Sequence, residues 1–294
     1  MTLAHLQLAR IGETTLAQQA FGDGAPVLLI HGALIADALF PLAEAPALSS
    51  YRKIVYHRRW YGRSPRFEPV RPVSPAEHAT DALGLLDYHE VAAAHVVGHS
   101  AGALIALALA AGHPDRVSSL VLIEPPTAFR RPPGARWLAE MLPRVQSRYA
   151  ESDVAGAVAA FYDSIYRPNW RARMDRTQPR AFEGSVQDAV VAFESDLPGA
   201  DWNDGLSCEQ VASVRCPVLS VLGTRTLPVC TDGRSLLHEW FPWCEDADIE
   251  GGDHMLPIEY PDATAAAIAS FLSHRGTEHV TEHVTETQPT THRR

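Results

Sequence analysis

Apolar residues along this 294-residue chain follow two different periods, and stretches of each alternate. Residues 3–9 and 14–21 switch between apolar and polar side chains. That is the two-residue period of strands with one covered face, and it predicts a hairpin at the edge of a sheet. After the Gly22-Asp23-Gly24 turn, the run Val27-Leu28-Leu29-Ile30 is apolar throughout, which predicts a strand buried on both faces. Ile54-Val55-Tyr56 is a second such run. Ser74-Pro75-Ala76-Glu77 has the form of a capping box with proline at the first helical position, and a helix is predicted from there to about residue 88. A strand over 94–98, a helix over 101–111 and a strand over 117–123 follow. Strand alternating with helix predicts an α/β fold, a mostly parallel central sheet flanked by helices.

The alternation stops after Glu124, and between 125 and 210 no run reads as a buried strand. Val154, Ala157, Val158, Phe161, Tyr162 and Ile165 fall at helical spacing with Ser152 as N-cap, and Phe182, Val186, Ala189, Val190 and Phe193 mark another helix. The earlier order resumes with a strand over 217–223, a helix over 232–240, a strand over 246–250 and a helix over 261–273. The chain thus divides into a core, 1–124 and 211–275, interrupted by a helical lid insertion over 125–210. The stretch 276–294 has few apolar residues and repeats Thr-Glu-His-Val, so it is expected to be a disordered tail. His279-Val280-Thr281-Glu282-His283 matches the H-x-x-E-H zinc spacing. The repeat generates that match and no core surrounds it, so no metal is expected there.

Composition changes this picture little: 46% hydrophobic and 20% charged residues are ordinary for a globular enzyme. The formal net charge of −10 argues against a nucleic-acid partner and leaves a neutral, apolar substrate open. No stretch approaches the roughly 18 apolar residues of a membrane span, so no membrane association is expected. Glu13, Gln18, Gln19 and Asp23 interrupt any signal-peptide pattern in residues 1–30. Cys208, Cys216, Cys230 and Cys244 form no C-x-x-C pair. A reduced set in a cytoplasmic protein is the expectation. Oligomeric state is left open.

Gly98-His99-Ser100-Ala101-Gly102 fits G-x-S-x-G, between a buried strand and an alanine- and leucine-rich helix. That context makes a nucleophile elbow: the tight turn pushes the serine out at the carboxyl edge of the sheet, and the glycines leave room for it. Gly251-Gly252-Asp253-His254 lies between the last strand and the last helix. Its place, after the serine in chain order, singles out His254 among 14 histidines as the general base. On these motifs the chain resembles the α/β-hydrolase fold family from about residue 3 to residue 272. The resemblance implies that His31-Gly32 is the family's oxyanion motif, with the backbone N–H groups of Ala33 and Ala101 as the oxyanion hole. His57-Arg58-Arg59-Trp60-Tyr61-Gly62-Arg63-Ser64 resembles the family's D-x-R-G-x-G-x-S loop. It departs at His57, where Asp is usual, and at Trp60, where the first Gly is usual. Packing by Trp60 and a reach into the pocket are both open. His99 is expected to pack beneath the elbow and His31 to be a structural loop residue.

In most of that family an Asp follows the strand corresponding to 218–223, in a G-x-x-D pattern. Gly223-Thr224-Arg225-Thr226 puts a threonine there, which cannot hold an imidazolium by charge. Glu124 ends the strand 117–123 on the edge where the nucleophile emerges. Some haloalkane dehalogenases and the zearalenone-lactonase group carry their acid at that position, and Glu124-Pro125-Pro126-Thr127 looks like the lactonase pattern. Glu124 is therefore the expected triad acid, with Asp232 and then Asp253 in reserve.

A serine nucleophile acts on carbonyl carbon through an acyl-enzyme. Ten of the 23 aromatic residues fall in 125–210, which suggests a lid facing an apolar pocket. The expected function is hydrolysis of a small apolar carboxylic ester or lactone through an acyl-enzyme on Ser100, with no cofactor. The alternatives are a cofactor-free haloperoxidase, against which Ala33 stands where an aromatic is typical, and a C–C bond hydrolase. A non-catalytic small-molecule receptor on the same scaffold is the alternative from another class. Thr226 favours it, and the pairing of Ser100 with His254 opposes it.

Overall fold

The computed structural model describes residues 5–67, 69–127, 131–199 and 206–276. Among these, the strands are β1 (Gln7–Ile11), β2 (Thr14–Phe21), β3 (Pro26–Ile30), β4 (Arg52–Tyr56), β5 (Ala94–His99), β6 (Val117–Ile123), β7 (Val218–Gly223) and β8 (Glu245–Ile249). They form an eight-stranded sheet in the order β1-β2-β4-β3-β5-β6-β7-β8. The β1–β2 hairpin is antiparallel and pairs antiparallel to β4. Every pairing from β4 onward is parallel.

Both faces are covered, as the unbroken apolar runs require. Leu28, Ile30, Ile54, Val96, Leu120 and Leu122 point to one face and pack with α2 (Pro75–Tyr88), α3 (Ala101–Gly112) and Leu237 of α10 (Pro228–Trp240). Val27, Leu29, Val55, Val97, Val121 and Ile123 point to the other, against α1 (Phe40–Glu44) and α12 (Pro261–Gly276), which follows the short α11 (Leu256–Glu259). Ser74 caps α2 by accepting from the Glu77 amide. α10 begins at Pro228, four residues before the expected start at Asp232, because Pro228 itself occupies the first turn.

Between β6 and β7 the described residues form helices: α4 (Pro132–Ala150), α5 (Val154–Ile165), α6 (Trp170–Thr177) and α7 (Ala181–Val191). α7 continues through a π-helical turn, Ala192–Asp196, into α8 (Leu197–Gly199), and α9 (Cys208–Ser213) leads back to the sheet. Asp153, not Ser152, caps α5, accepting from the Gly156 amide. Ser152 instead takes a left-handed conformation (φ 63°) that turns the chain between α4 and α5. Much of the insertion's aromatic content is helix-on-helix packing: Tyr162 lies 5.0 Å from Trp170 and 5.1 Å from Tyr166, centroid to centroid. Phe129 and Trp202 lie outside the described residues, as does the tail from 277 on. Gly276, placed with that tail by the sequence pattern, ends α12.

Candidate active site

β5 ends at His99 and α3 begins at Ala101, so Ser100 alone makes the turn, at φ 54° and ψ −122°. A non-glycine residue held there stores about 1–3 kcal/mol of strain, and the surrounding glycines are what permit it. A Cβ on Gly98 would strike the Gly102 carbonyl, and one on Gly102 would strike the carbonyls of Ile30 and His31. The G-x-S-x-G spacing is thus the spacing at which α3 crosses the end of β3. The Ser100 amide donates to Ile123 O at 3.0 Å, which fixes the elbow to β6.

His254 follows β8 on a loop whose Gly251 turns at φ 74°. Its Nε2 lies 2.9 Å from Ser100 Oγ, and its Nδ1 lies 3.3 Å from Glu124 Oε2. His99 holds the loop from below, Nε2 bonding the His254 carbonyl at 2.9 Å. Burial first, and then the neighbouring His254 charge, push the His99 pKa down to about 3, so His99 stays neutral beneath the site.

Glu124 is fully buried and sits at φ 51° directly after β6. Its Oε1 accepts from the Gly223 amide at 2.7 Å, and its Oε2 accepts from the Thr226 hydroxyl as well as facing His254. Thr226, the residue that breaks the family's acid pattern, thus donates to the carboxylate of Glu124. Gly223 has no room for a side chain, because a Cβ there would meet the Gly252 carbonyl. This close approach of β7 to the histidine loop is what brings Glu124 and His254 together. Cys230, on α10, places its Sγ 3.9 Å from His254 Nδ1 and 3.7 Å from the Glu124 carbonyl. Sequence reasoning missed it, since α10 was expected to start beyond it.

The reserve acids lie elsewhere. Asp253 turns away from its neighbour to Arg167 at 3.0 Å and Arg173 at 2.5 Å, and it accepts from the Met255 amide. Asp232 lies on α10 and has no bond to His254 among the described residues. The ligand atoms of Glu124, Cys230 and His254 lie within 4.8 Å of one another, a spacing that could hold a metal ion. However, burial and the Glu124 charge push the Cys230 thiol well above its ordinary pKa. A metal needs the thiolate, and the carboxylate is already bonded on both oxygens, so the donors suit a hydrogen-bonded relay better than a ligand shell.

Ala33 and Ala101 border the same cavity as Ser100 and His254. Ala101 opens α3, so its N–H has no partner within the helix. The Ala33 N–H belongs to the peptide whose carbonyl is Gly32 O. That oxygen accepts from His31 Nδ1 at 2.7 Å and from Arg58 Nη2 at 3.0 Å, while His31 Nε2 accepts from the Arg58 amide. Two donors on one carbonyl fix the peptide plane and polarise its N–H. Arg58 is buried and forked onto Asp196 of the π turn at 2.7 and 3.2 Å, and Asp196 also takes the Tyr61 hydroxyl. Burial opposes ionisation of Asp196, but the Arg58 guanidinium beside it holds its carboxyl well below the usual range.

The two departures from the loop pattern are structural. His57 is buried between Asp37, 2.7 Å from Nε2, and the Arg63 amide, which donates to Nδ1. Trp60 takes the left-handed conformation (φ 68°) that a glycine would favour, and packs with Ala36, Tyr61, Val73 and Val191 away from the cavity over Ser100.

The cavity over Ser100 measures about 80 Å³. Leu104 and Val229 of the core and Trp137, Met141, Phe161 and Phe193 of the insertion make most of its wall. Among the described residues, Asp196 is the one acidic side chain that reaches it, and it is paired with Arg58.

Residues 25–259 match the family model described as the alpha/beta hydrolase fold. The chain belongs to the α/β-hydrolase fold family. A candidate carbamate hydrolase, RutD, of Azorhizobium caulinodans is 28% identical over 268 residues, covering 88% of this chain and 96% of that protein. Rhodomycin D methylesterase DauP of a Streptomyces species is 39% identical over 116 residues, 38% of this chain and 39% of that one. A solved α/β-hydrolase of Sphaerobacter thermophilus superposes with a TM-score of 0.71 at 25% identity, covering 90% of this chain and all of that one.

Proposed function

We propose that this chain, an α/β-hydrolase acting on ester bonds, cleaves a small apolar carboxylic ester or lactone through an acyl-enzyme on Ser100. The observation that carries the reading is the continuous line Ser100 Oγ–His254 Nε2, His254 Nδ1–Glu124 Oε2. With Nδ1–H directed at the carboxylate, Nε2 is free to take the serine proton as Oγ attacks the carbonyl carbon. The developing oxyanion lies between the N–H groups of Ala33 and Ala101, and donors so placed contribute about 3–4 kcal/mol each by comparison with donor deletions. His254 then gives its proton to the leaving alcohol. A water, deprotonated by the same nitrogen, attacks the acyl carbon and releases Ser100.

The wall of the cavity, apolar and without an unpaired charge among the described residues, supports that substrate class. The methylesterase among the relatives supports an ester, and the candidate carbamate hydrolase is consistent with attack on a carbonyl carbon. The helices α4–α8 act as a lid over the pocket. Four unpaired cysteines support a cytoplasmic site of action. Ser100→Ala should abolish hydrolysis of p-nitrophenyl butyrate while leaving the circular dichroism spectrum unchanged. Turnover surviving in that variant contradicts the reading.

A further inference from the structure

The cavity over Ser100 ends at a wall one side chain thick. Phe193 and Leu197 border it, and the same two residues border a second space of about 360 Å³ along α4. That outer groove is otherwise made by Leu142, Val145, Gln146, Tyr149, Ala150 and Pro198. The Phe193 ring stands between Phe161, a cavity residue at 6.5 Å, and Tyr149, a groove residue at 5.2 Å.

The backbone beneath this wall is unusual. Phe193 lies in the π-helical turn Ala192–Asp196, and such one-residue insertions into a helix often mark functional sites. The charged residues of the turn are anchored: the Tyr149 hydroxyl donates to Glu194 at 2.7 Å, and Asp196 is bound by Arg58. Phe193 is only half-buried and is held by ring contacts. A rotamer change at Phe193, of the kind partly exposed side chains make on the picosecond-to-nanosecond scale, would join the two spaces without moving either anchor.

We propose that the groove along α4 is a subsite for a linear aliphatic chain of the ester, entered past Phe193 from the cavity over Ser100. The proposal rests on the serine-hydrolase reading of that cavity. Leu142, Val145, Ala150 and Pro198 give the groove apolar walls, with Gln146 and Tyr149 at its polar side, and no charged side chain lines it among the described residues; only Phe193 and Leu197 separate it from the reacting centre. A chain too long for the inner cavity gains apolar burial there with each methylene covered. Phe193 then sets which chain lengths are favoured.

The test compares kcat/KM for p-nitrophenyl decanoate against butyrate, with the chain on the acyl side, and for octyl against ethyl butyrate, with the chain on the alcohol side. Leu142→Phe and Gln146→Trp fill the groove, and each should lower the long-to-short ratio about tenfold in one arm, whereas Phe193→Ala should raise it. The arm that responds identifies which side of the ester the groove takes. An unchanged ratio in both arms overturns the proposal. A second measurement is independent of turnover: 1-decanol should bind the Ser100→Ala chain, and Gln146→Trp added to it should weaken binding about tenfold. Equal affinity, or no binding to either chain, also overturns the subsite. Failure of the underlying reading shows separately, as turnover that survives Ser100→Ala.

Discussion

Glu124 shows how a single buried carboxylate can be completed by residues that look like losses. One oxygen takes the Gly223 amide, and the other faces both Thr226 and His254. Only a charged group can fix the histidine tautomer and also stabilise the imidazolium that forms in the transition state. Glu124→Gln should therefore keep the fold and lower kcat by roughly three to four orders of magnitude, read from ester turnover alongside a thermal melt. Asp253→Asn should leave kcat of the folded fraction nearly unchanged while lowering the melting temperature, since it breaks a buried pairing with two arginines. The positions of Ser100, His254 and Glu124 are legible because each lies at the end of a recognisable strand. Arg58 and Asp196 are not. They stand 138 residues apart, and no local period links them.

At the scale of elements, the site is made by crossings of backbone. α3 can lie across β3 only because residue 102 has no side chain, and β7 can meet the histidine loop only because residue 223 has none. Gly102→Ala should therefore cost several kcal/mol or prevent folding, since the colliding atoms are backbone carbonyls that cannot turn aside. A denaturation midpoint close to that of the parent chain would contradict this. The buried strands and α2 and α3 are legible because period and capping agree. The start of α10 is not, because Leu227-Pro228 reads equally well as a loop and as a first helical turn. Ser152 and Asp153 are both good capping residues, and only the backbone decides between them.

Across the whole molecule the insertion is tied to the core by buried polar contacts, and these make stability depend on pH. Asp188 of α7 accepts from the Gly62 amide at 2.9 Å, yet burial pushes its pKa up to about 6. Its folded value lies above its unfolded one, so its contribution is most favourable below about pH 4 and is lost as pH rises through about 6. Asp188→Asn should therefore raise the melting temperature at pH 8 and have little effect at pH 4. Equal effects at both would show that the charge is not what matters. Asp196 and Asp253 have the opposite sign, with folded values below the ordinary one, so their contributions are present at neutral pH and fade as pH falls. The catalytic role assigned to Ser100 is tested most directly by exposing the chain to an alkyl fluorophosphonate and measuring its intact mass. One adduct per chain is expected, located on the peptide containing Ser100, absent from Ser100→Ala and much slower to form in Glu124→Gln. A chain that takes up no adduct, or takes it up at another residue, would contradict the assignment.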